Sequence, residues 1–236
     1  RHLEGPAEAG FNRVAWDLRY PALDAWAPAN EDGEQEVGAG VLVVPGAFSV
    51  SMQQRVDGVL EDLNQSQDFD VVSIRESTLP GSTQEQRLVF ESQVDELIRA
   101  SDGTVNAIDR ISAEIDAIKQ ALARSMADPS LYEIADAIQE RMLGARDRLS
   151  QNSTRSVMQD RETTALDERL WHARFEPTMN AYGPTTSQRE SYAIGKRLYD
   201  DVVSELTTLV DEEYAGLKRA LDQAGVPWTP GRGIQR

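Results

Sequence analysis

A seven-residue apolar repeat in the second third of the chain constrains the fold more than any other feature. Five apolar residues follow one another in steps of three, four, three and four: Ile108, Ile111, Ile115, Ile118 and Leu122. This spacing places one apolar stripe along a helix that packs lengthwise against neighbouring helices. The sequence therefore predicts a long helix over about Gln84 to Arg124, with a weak point at Asp102-Gly103.

Three further helical stretches are predicted from similar stripes. Asp128-Pro129 separates the first helix from a second, whose stripe is Leu131, Ile134, Ile138, Met142 and Leu149. A third stretch is interrupted by Pro177 and ends at Gly183-Pro184, and its apolar residues are Leu166, Leu170 and Ala173. The last helix reaches about Leu221, with Gly225 as its stop signal, and carries Ile194, Leu198, Val202, Leu206, Leu209 and Leu217.

Matching helix lengths predict how these helices pack. The first and last are each about 40 residues, or about 60 Å, and the two middle stretches are about half as long. We expect a three-stranded antiparallel bundle whose central strand is broken around residues 150–160. A conventional four-helix bundle is the alternative.

The first third of the chain has the alternating pattern and turn residues of β-strands. Apolar and polar residues alternate along Arg13–Tyr20, with Val14, Trp16, Leu18 and Tyr20 on one face. Asp57-Gly58 predicts a two-residue hairpin turn, because a type I′ turn needs positive φ at both positions. The other strand candidates are 41–44, 48–52, 59–63 and 69–74.

These patterns predict an α+β chain of three parts. A small antiparallel β-sandwich of the immunoglobulin or fibronectin kind covers residues 1–78, and the helical bundle covers 84–224. An extended tail occupies 225–236, where prolines flank Trp228.

Composition excludes several classes of function. A net charge of -16 disfavours nucleic acid as a partner, since phosphate binding draws its energy from Lys and Arg. The chain has no cysteine, which rules out thiol catalysis and cysteine-ligated metals. The longest apolar run, Val41 to Val44, falls far short of the roughly 20 residues of a membrane span, so no membrane insertion is expected. Because the chain opens at Arg1, we expect a processed or excised piece with any targeting segment upstream.

No catalytic, cofactor-binding or metal-binding residue is predicted. Glu168 and His172 share a helix face, but a carboxylate-bridged di-iron bundle needs several more ligands. The segment 30–33 has the pattern of a calcium loop, yet Ala39 stands where the bidentate Glu is required. The acidic pairs near Asp200 and Asp211 are interpreted as outer-face charges of the last helix.

Aromatic residues are the candidates for interaction. Trp26 lies within the acidic loop 24–40, Tyr20 precedes that loop, and Trp228 lies in the tail. Prolines around Trp228 favour an extended segment that docks across a surface. We expect Trp228 to pack back onto the sandwich or an adjoining domain.

Two segments resemble a known bacterial family. The first comprises Gly10–Pro21, with its Trp-Asp-Leu-Arg-Tyr strand, and Pro45–Val50 with the Asp57-Gly58 turn. The second is the ending Ala224–Arg232, with Pro-Trp-Thr-Pro-Gly. Both are similar to the C-terminal region of large sortilin-like proteins built around a β-propeller of Asp-box (BNR) repeats. The repeats themselves are absent from this chain, so chemistry attributed to the propeller does not transfer.

The resemblance implies an exported bacterial protein with a propeller upstream of this chain. On that basis we expect a non-catalytic structural and interaction module, with the propeller or a second protein as its partner or with self-association through the bundle. Two alternatives remain open. The chain is an accessory domain of an exported glycosidase or sialidase-like hydrolase, or it is a carbohydrate-binding sandwich that uses Tyr20, Trp26 and the acidic loop.

Overall fold

The computed structural model describes residues 1–22, 40–74, 81–151, 164–179 and 182–233. Its longest element is α1, Gln84–Leu122, which continues unbroken through Asp102-Gly103. Helix α1 starts where the sequence predicts, because Thr83 and Gln86 form a capping box. The Gln86 N–H donates to Thr83 Oγ1 at 3.2 Å, and the Thr83 N–H donates to Gln86 Oε1 at 3.1 Å.

The remaining helices follow after short connections. They are α2, Ser130–Leu149; α3, Leu166–Met179; α4, Thr186–Thr208; and α5, Ala215–Gln223, with a π-helical segment at Leu209–Tyr214 between the last two. Helix α4, the π segment and α5 form one continuous helical rod, which we call the terminal rod (186–223). Helix α3 runs to Met179, past the predicted interruption at Pro177.

Polar contacts between α1 and α2 show that these helices are antiparallel. Higher positions on α1 meet lower positions on α2, in the pairs Lys119–Asp136, Asp116–Gln139 and Asp109–Arg146. The Gln139 amide donates to Asp116 at 2.7 Å, and Arg146 Nε donates to Asp109 at 2.6 Å. Helix α2 therefore lies along the second half of α1.

Helix α3 lies along the first half of α1, where Arg174 Nε is 2.8 Å from Asp95 Oδ1. The terminal rod runs parallel to α1. Its Tyr199 hydroxyl donates to the Ala100 carbonyl at 3.2 Å, and its Tyr214 hydroxyl donates to Glu114 at 2.6 Å. Helices α2 and α3 thus occupy successive lengths beside the two long rods and run antiparallel to both.

One aliphatic cluster holds these rods together. The predicted seam of α1 is buried throughout, and it belongs to one cluster with buried residues of every other helix. The buried members outside α1 include Leu131, Ala135, Ile138, Met142, Leu149, Leu166, Leu170, Val202, Leu206, Leu209, Tyr214, Leu217 and Leu221. No described helix is both long enough and apolar enough to span a bilayer.

Two predicted core positions are wrong. Ile134 is 45% exposed, whereas Ile138 one turn later is 1% exposed, and Ala135 takes the buried place beside it. Ile194 is also exposed, and Gly195 faces Leu166 instead, where an added Cβ would lie 2.9 Å from the leucine Cδ1. In both cases a small residue lets two helices approach, and the neighbouring isoleucine turns outward.

The sheet is a single long antiparallel hairpin of β1, Gly46–Val56, and β2, Val59–Val71. The predicted turn is confirmed: Asp57 has φ 50° and Gly58 has φ 82°. Prediction of two separate return strands, 59–63 and 69–74, is wrong. The structure has one strand with a register shift opposite Met52/Gln53, where Asn64 adopts φ 52°.

The other predicted strands contribute only one isolated bridge, between Arg19 and Leu42. Around it, the Tyr20 N–H donates to the Val41 carbonyl and the Val43 N–H donates to the Leu18 carbonyl, both at 2.9 Å. We call the paired segments 16–22 and 40–45 the strap. A β-sandwich is not shown by the described residues, which are α+β with one two-stranded antiparallel sheet.

The two isoleucines of α2 provide a direct test of the core. We expect Ile138→Ala to lower the free energy of unfolding by about 2–5 kcal/mol, since it leaves a cavity between rods. Ile134→Ala, the matched control one turn away, should cost less than about 1 kcal/mol. Urea unfolding followed by circular dichroism measures both, and equal losses would show that the assigned face of α2 is wrong.

Candidate functional site

The strap joins the hairpin to the bundle. At the hairpin, the Trp16 ring packs edge-on against Phe48 and Phe69, with centroids 5.3 and 6.1 Å away. Trp16 Nε1 donates to the Arg19 carbonyl at 3.0 Å, which fixes the ring on the strap. Neither strand of the hairpin contacts a helix within the described residues, so the strap is the described connection between the two parts.

Close backbone packing builds the strap. Arg19 Nη1 donates to the Gly40 carbonyl at 2.9 Å. A Cβ at Gly40 would lie 2.1 Å from the Tyr20 carbonyl oxygen, so only glycine fits there. The two strap segments are thereby held side by side where they meet α1.

Between the strap and α1 lies an open cavity of about 350 Å³. Strap residues Tyr20, Pro21 and Val41 form one wall, and α1 contributes Leu88, Ser92 and Asp95. We call this region between the strap and α1 the strap joint. Tyr20, one of the predicted interaction residues, therefore lies at the strap joint and is half-exposed. Trp26, the second, lies outside the described residues, as does the acidic loop except for Gly40.

Two buried carboxylates accompany this cavity on α1. Glu91 and Asp95 are each 7% exposed and stand one helical turn apart. Asp95 pairs with Arg174 of α3, and Glu91 lies 3.7 Å from Arg87 Nη2. The Glu91 Oε1 atom is buried and accepts no hydrogen bond from any residue that the structure describes.

Burial raises the pKa of Glu91 above its usual range, and the charge of Asp95 adds to the effect. The positive charges of Arg87, Arg19 and Arg174 oppose it. With two carboxylates and three guanidinium groups, the joint is an ionic network that links the strap, α1 and α3.

Trp228, the third predicted interaction residue, lies at the other end of the bundle. Its indole N–H donates to the Arg232 and Gly233 carbonyls at 3.3 and 3.1 Å, and 55% of the residue is exposed. The tail reaches α1 at Glu114, 19 positions beyond Asp95 and so about 28 Å along the helix. The structure therefore does not bring Tyr20 and Trp228 together.

The tail is anchored by residues that the sequence did not single out. The Arg232 side chain is 1% exposed, and it donates to Asp222 and to the carbonyls of Val226 and Pro227. Gly231, at φ 79°, packs against Glu114 and Tyr214 where a Cβ would clash with the carboxylate. Burial raises the pKa of Tyr214, and its hydrogen bond to Glu114 raises it further.

Three of the remaining acidic residues, Glu168, Asp200 and Glu213, have structural partners. Gln151 contacts the first turn of α3, with its N–H donating to the Asp167 carboxylate and its side chain donating to Glu168 at 2.8 Å. No cluster of three metal-ligating side chains occurs in the described part of the chain. Asp200 pairs with Lys196 and Glu213 pairs with Arg141, both at the exposed surface.

No protein-family model, curated protein or solved structure matches this chain. The strap joint and the anchored tail are therefore defined by their geometry alone.

The tail provides a test of which residue anchors it. Arg232→Ala should lower the free energy of unfolding by about 2–4 kcal/mol, because the buried Val226 carbonyl and the partly buried Pro227 carbonyl lose their donor. Trp228→Ala should cost less than about 1 kcal/mol, since the ring is more than half exposed. Thermal and urea unfolding measure both variants, and a larger loss for Trp228→Ala would show that the ring, not the guanidinium, holds the tail.

Proposed function

We propose that this chain is a non-catalytic structural and interaction module of an exported sortilin-like propeller protein. In this proposal the bundle is a rigid support, and the hairpin is one layer of a β-sandwich completed by β-structure from the propeller side. The proposal rests on the resemblance of the two end segments together with the exposed apolar face of the hairpin.

The two faces of the hairpin differ in chemistry. One face carries Phe48, Val50, Met52 and Val56 on β1, with Gln54 between the last two. On β2 the residues opposite are Phe69, Gln67, Gln65, Glu61 and Val59, so the apolar side chains of this face come mainly from β1. The other face carries Ser49 and Ser51 with Asp68 and Ser66 opposite. Strands that alternate in this way are typical of sheets with one face against a core.

Only the base of the apolar face is covered, by the Trp16 ring. Beyond it, Val50 and Met52 are more than half exposed, and so is Val59 near the turn. An isolated two-stranded hairpin is marginally stable in water, and a second layer supplies the missing burial. A neighbouring β-layer that continues from Trp16 would cover Val50 and Met52 before it reaches Glu61, the charged residue of this face.

A second candidate function is supported by the cavity at the strap. An aromatic ring beside a hydroxyl and a carboxylate, as Tyr20, Ser92 and Asp95 provide, is a common arrangement for small polar ligands. Oligosaccharide titration followed by tryptophan fluorescence tests this alternative, because Trp16 reports on the strap. An unchanged spectrum across the titration removes it.

Trypsin cleavage at Arg55 tests the proposed layer. Arg55 lies in β1 next to the turn. The chain alone should be cut there readily, and the whole protein with its upstream propeller should be cut at least about tenfold more slowly, because covering the hairpin suppresses its opening.

Two matched variants of the whole protein identify the face involved. Val50→Asp places a charge on the apolar face and should abolish the protection of Arg55. Ser49→Asp places the same charge on the polar face and should preserve it. Equal cleavage of the chain alone and of the whole protein would contradict the proposal.

A further inference from the structure

Three features of the strap determine how firmly the bundle holds the hairpin. The strap is the described link between hairpin and bundle, an open cavity lies between it and α1, and the buried carboxylate of Asp95 lines that cavity. Glu91 occupies the same face of α1 as Leu88 and Asp95, which line that cavity, because positions three and four apart share a helix face.

Ionised Glu91 is poorly accommodated in this arrangement. Among the described residues, none donates a hydrogen bond to its Oε1 atom. Its ion pair with Arg87 is long at 3.7 Å, and a second carboxylate lies one turn away. A buried charge without hydrogen bonds is costly, and access of water would relieve that cost. Opening of the strap away from α1 provides such access.

We propose that Glu91 makes the strap a proton-sensitive hinge, docked on α1 when the carboxyl is neutral and loosened when it is ionised. The hinge controls how firmly the bundle holds the hairpin. The inference does not depend on the proposed propeller partner, since both the strap and α1 belong to this chain.

The charges around Glu91 set the direction of the effect. From α1 it faces Arg87 and Asp95, from the strap Arg19, and from α3 Arg174. Burial is the largest influence and raises the pKa of Glu91 despite the three arginines. A group whose pKa is higher in the docked than in the open form favours docking at low pH, and this contribution is lost as pH rises through the docked-state pKa.

Distance measurement between two spin labels tests the hinge. Because the chain has no cysteine, Ser51→Cys on the hairpin and Ala113→Cys on α1 give one label pair without further changes. Both positions are exposed and lie away from the joint. The width of the label–label distance distribution, measured by pulsed electron paramagnetic resonance, reports how firmly the hairpin is held.

We expect the distribution to narrow as the pH falls from about 7.5 to about 5, and to broaden again when the pH is restored. In the Glu91→Gln background, which removes the charge and keeps the shape, it should be narrow at both values. Glu96→Gln, the matched control at an exposed position of the same helix, should respond to pH as the unmodified pair does.

Two results would overturn the hinge. One is a distribution in the unmodified pair that is unchanged or broader at low pH. The other is a Glu91→Gln protein that retains the full pH response. The first result needs no substitution at Glu91, so the test stands even if that variant does not fold.

Discussion

Burial of the aliphatic seam of α1 is the interaction on which the rest of the structure depends. The seam Ile108, Ile111, Ile115 and Ile118 lies against α2 and the terminal rod, and its first-half counterpart around Val94 lies against α3. Helices α2 and α3 lie one after the other along α1, beside the terminal rod. The bundle is therefore arranged along a single 39-residue helix. The ion pairs that cross between rods are mostly exposed, so they set register more than they add stability.

The hairpin stands outside this core. Its apolar face is covered at the base by Trp16, and its connection to the bundle runs through the strap and the Glu91–Asp95 network. The described residues thus form a long helical bundle that carries a partly covered β-layer, which is the arrangement that the proposed supporting role requires. The acidic surface, with a net charge of -16, keeps such an elongated molecule from adsorbing to other anionic surfaces.

The seam, the helix starts and the Asp57-Gly58 turn could be predicted because each depends on local sequence. Capping residues and heptad spacing act within a few residues of where they stand. The exposure of Ile134 and Ile194 could not be predicted. It arises because another helix approaches the small neighbour, Ala135 or Gly195, and this approach depends on tertiary packing. Arg232 and Glu91 were missed for a related reason: their burial depends on tertiary packing, which brings Arg232 to Asp222 and Glu91 within reach of the charges of Arg19 and Arg174. In the sequence Glu91 directly follows Phe90 and Asp95 directly follows Val94, which is the signal that these two carboxyls stand at the edge of the buried face of α1.

Native-state hydrogen exchange in increasing urea tests the central division between a stable bundle and an appended β-layer most directly. The account predicts that amides at Ile111–Ile118 exchange only through global unfolding, whereas amides of β1 and β2 exchange through openings of lower free energy. Equal free energies of exchange in the hairpin and in α1 would contradict it, because they would show one cooperative unit in which the hairpin is already fully supported.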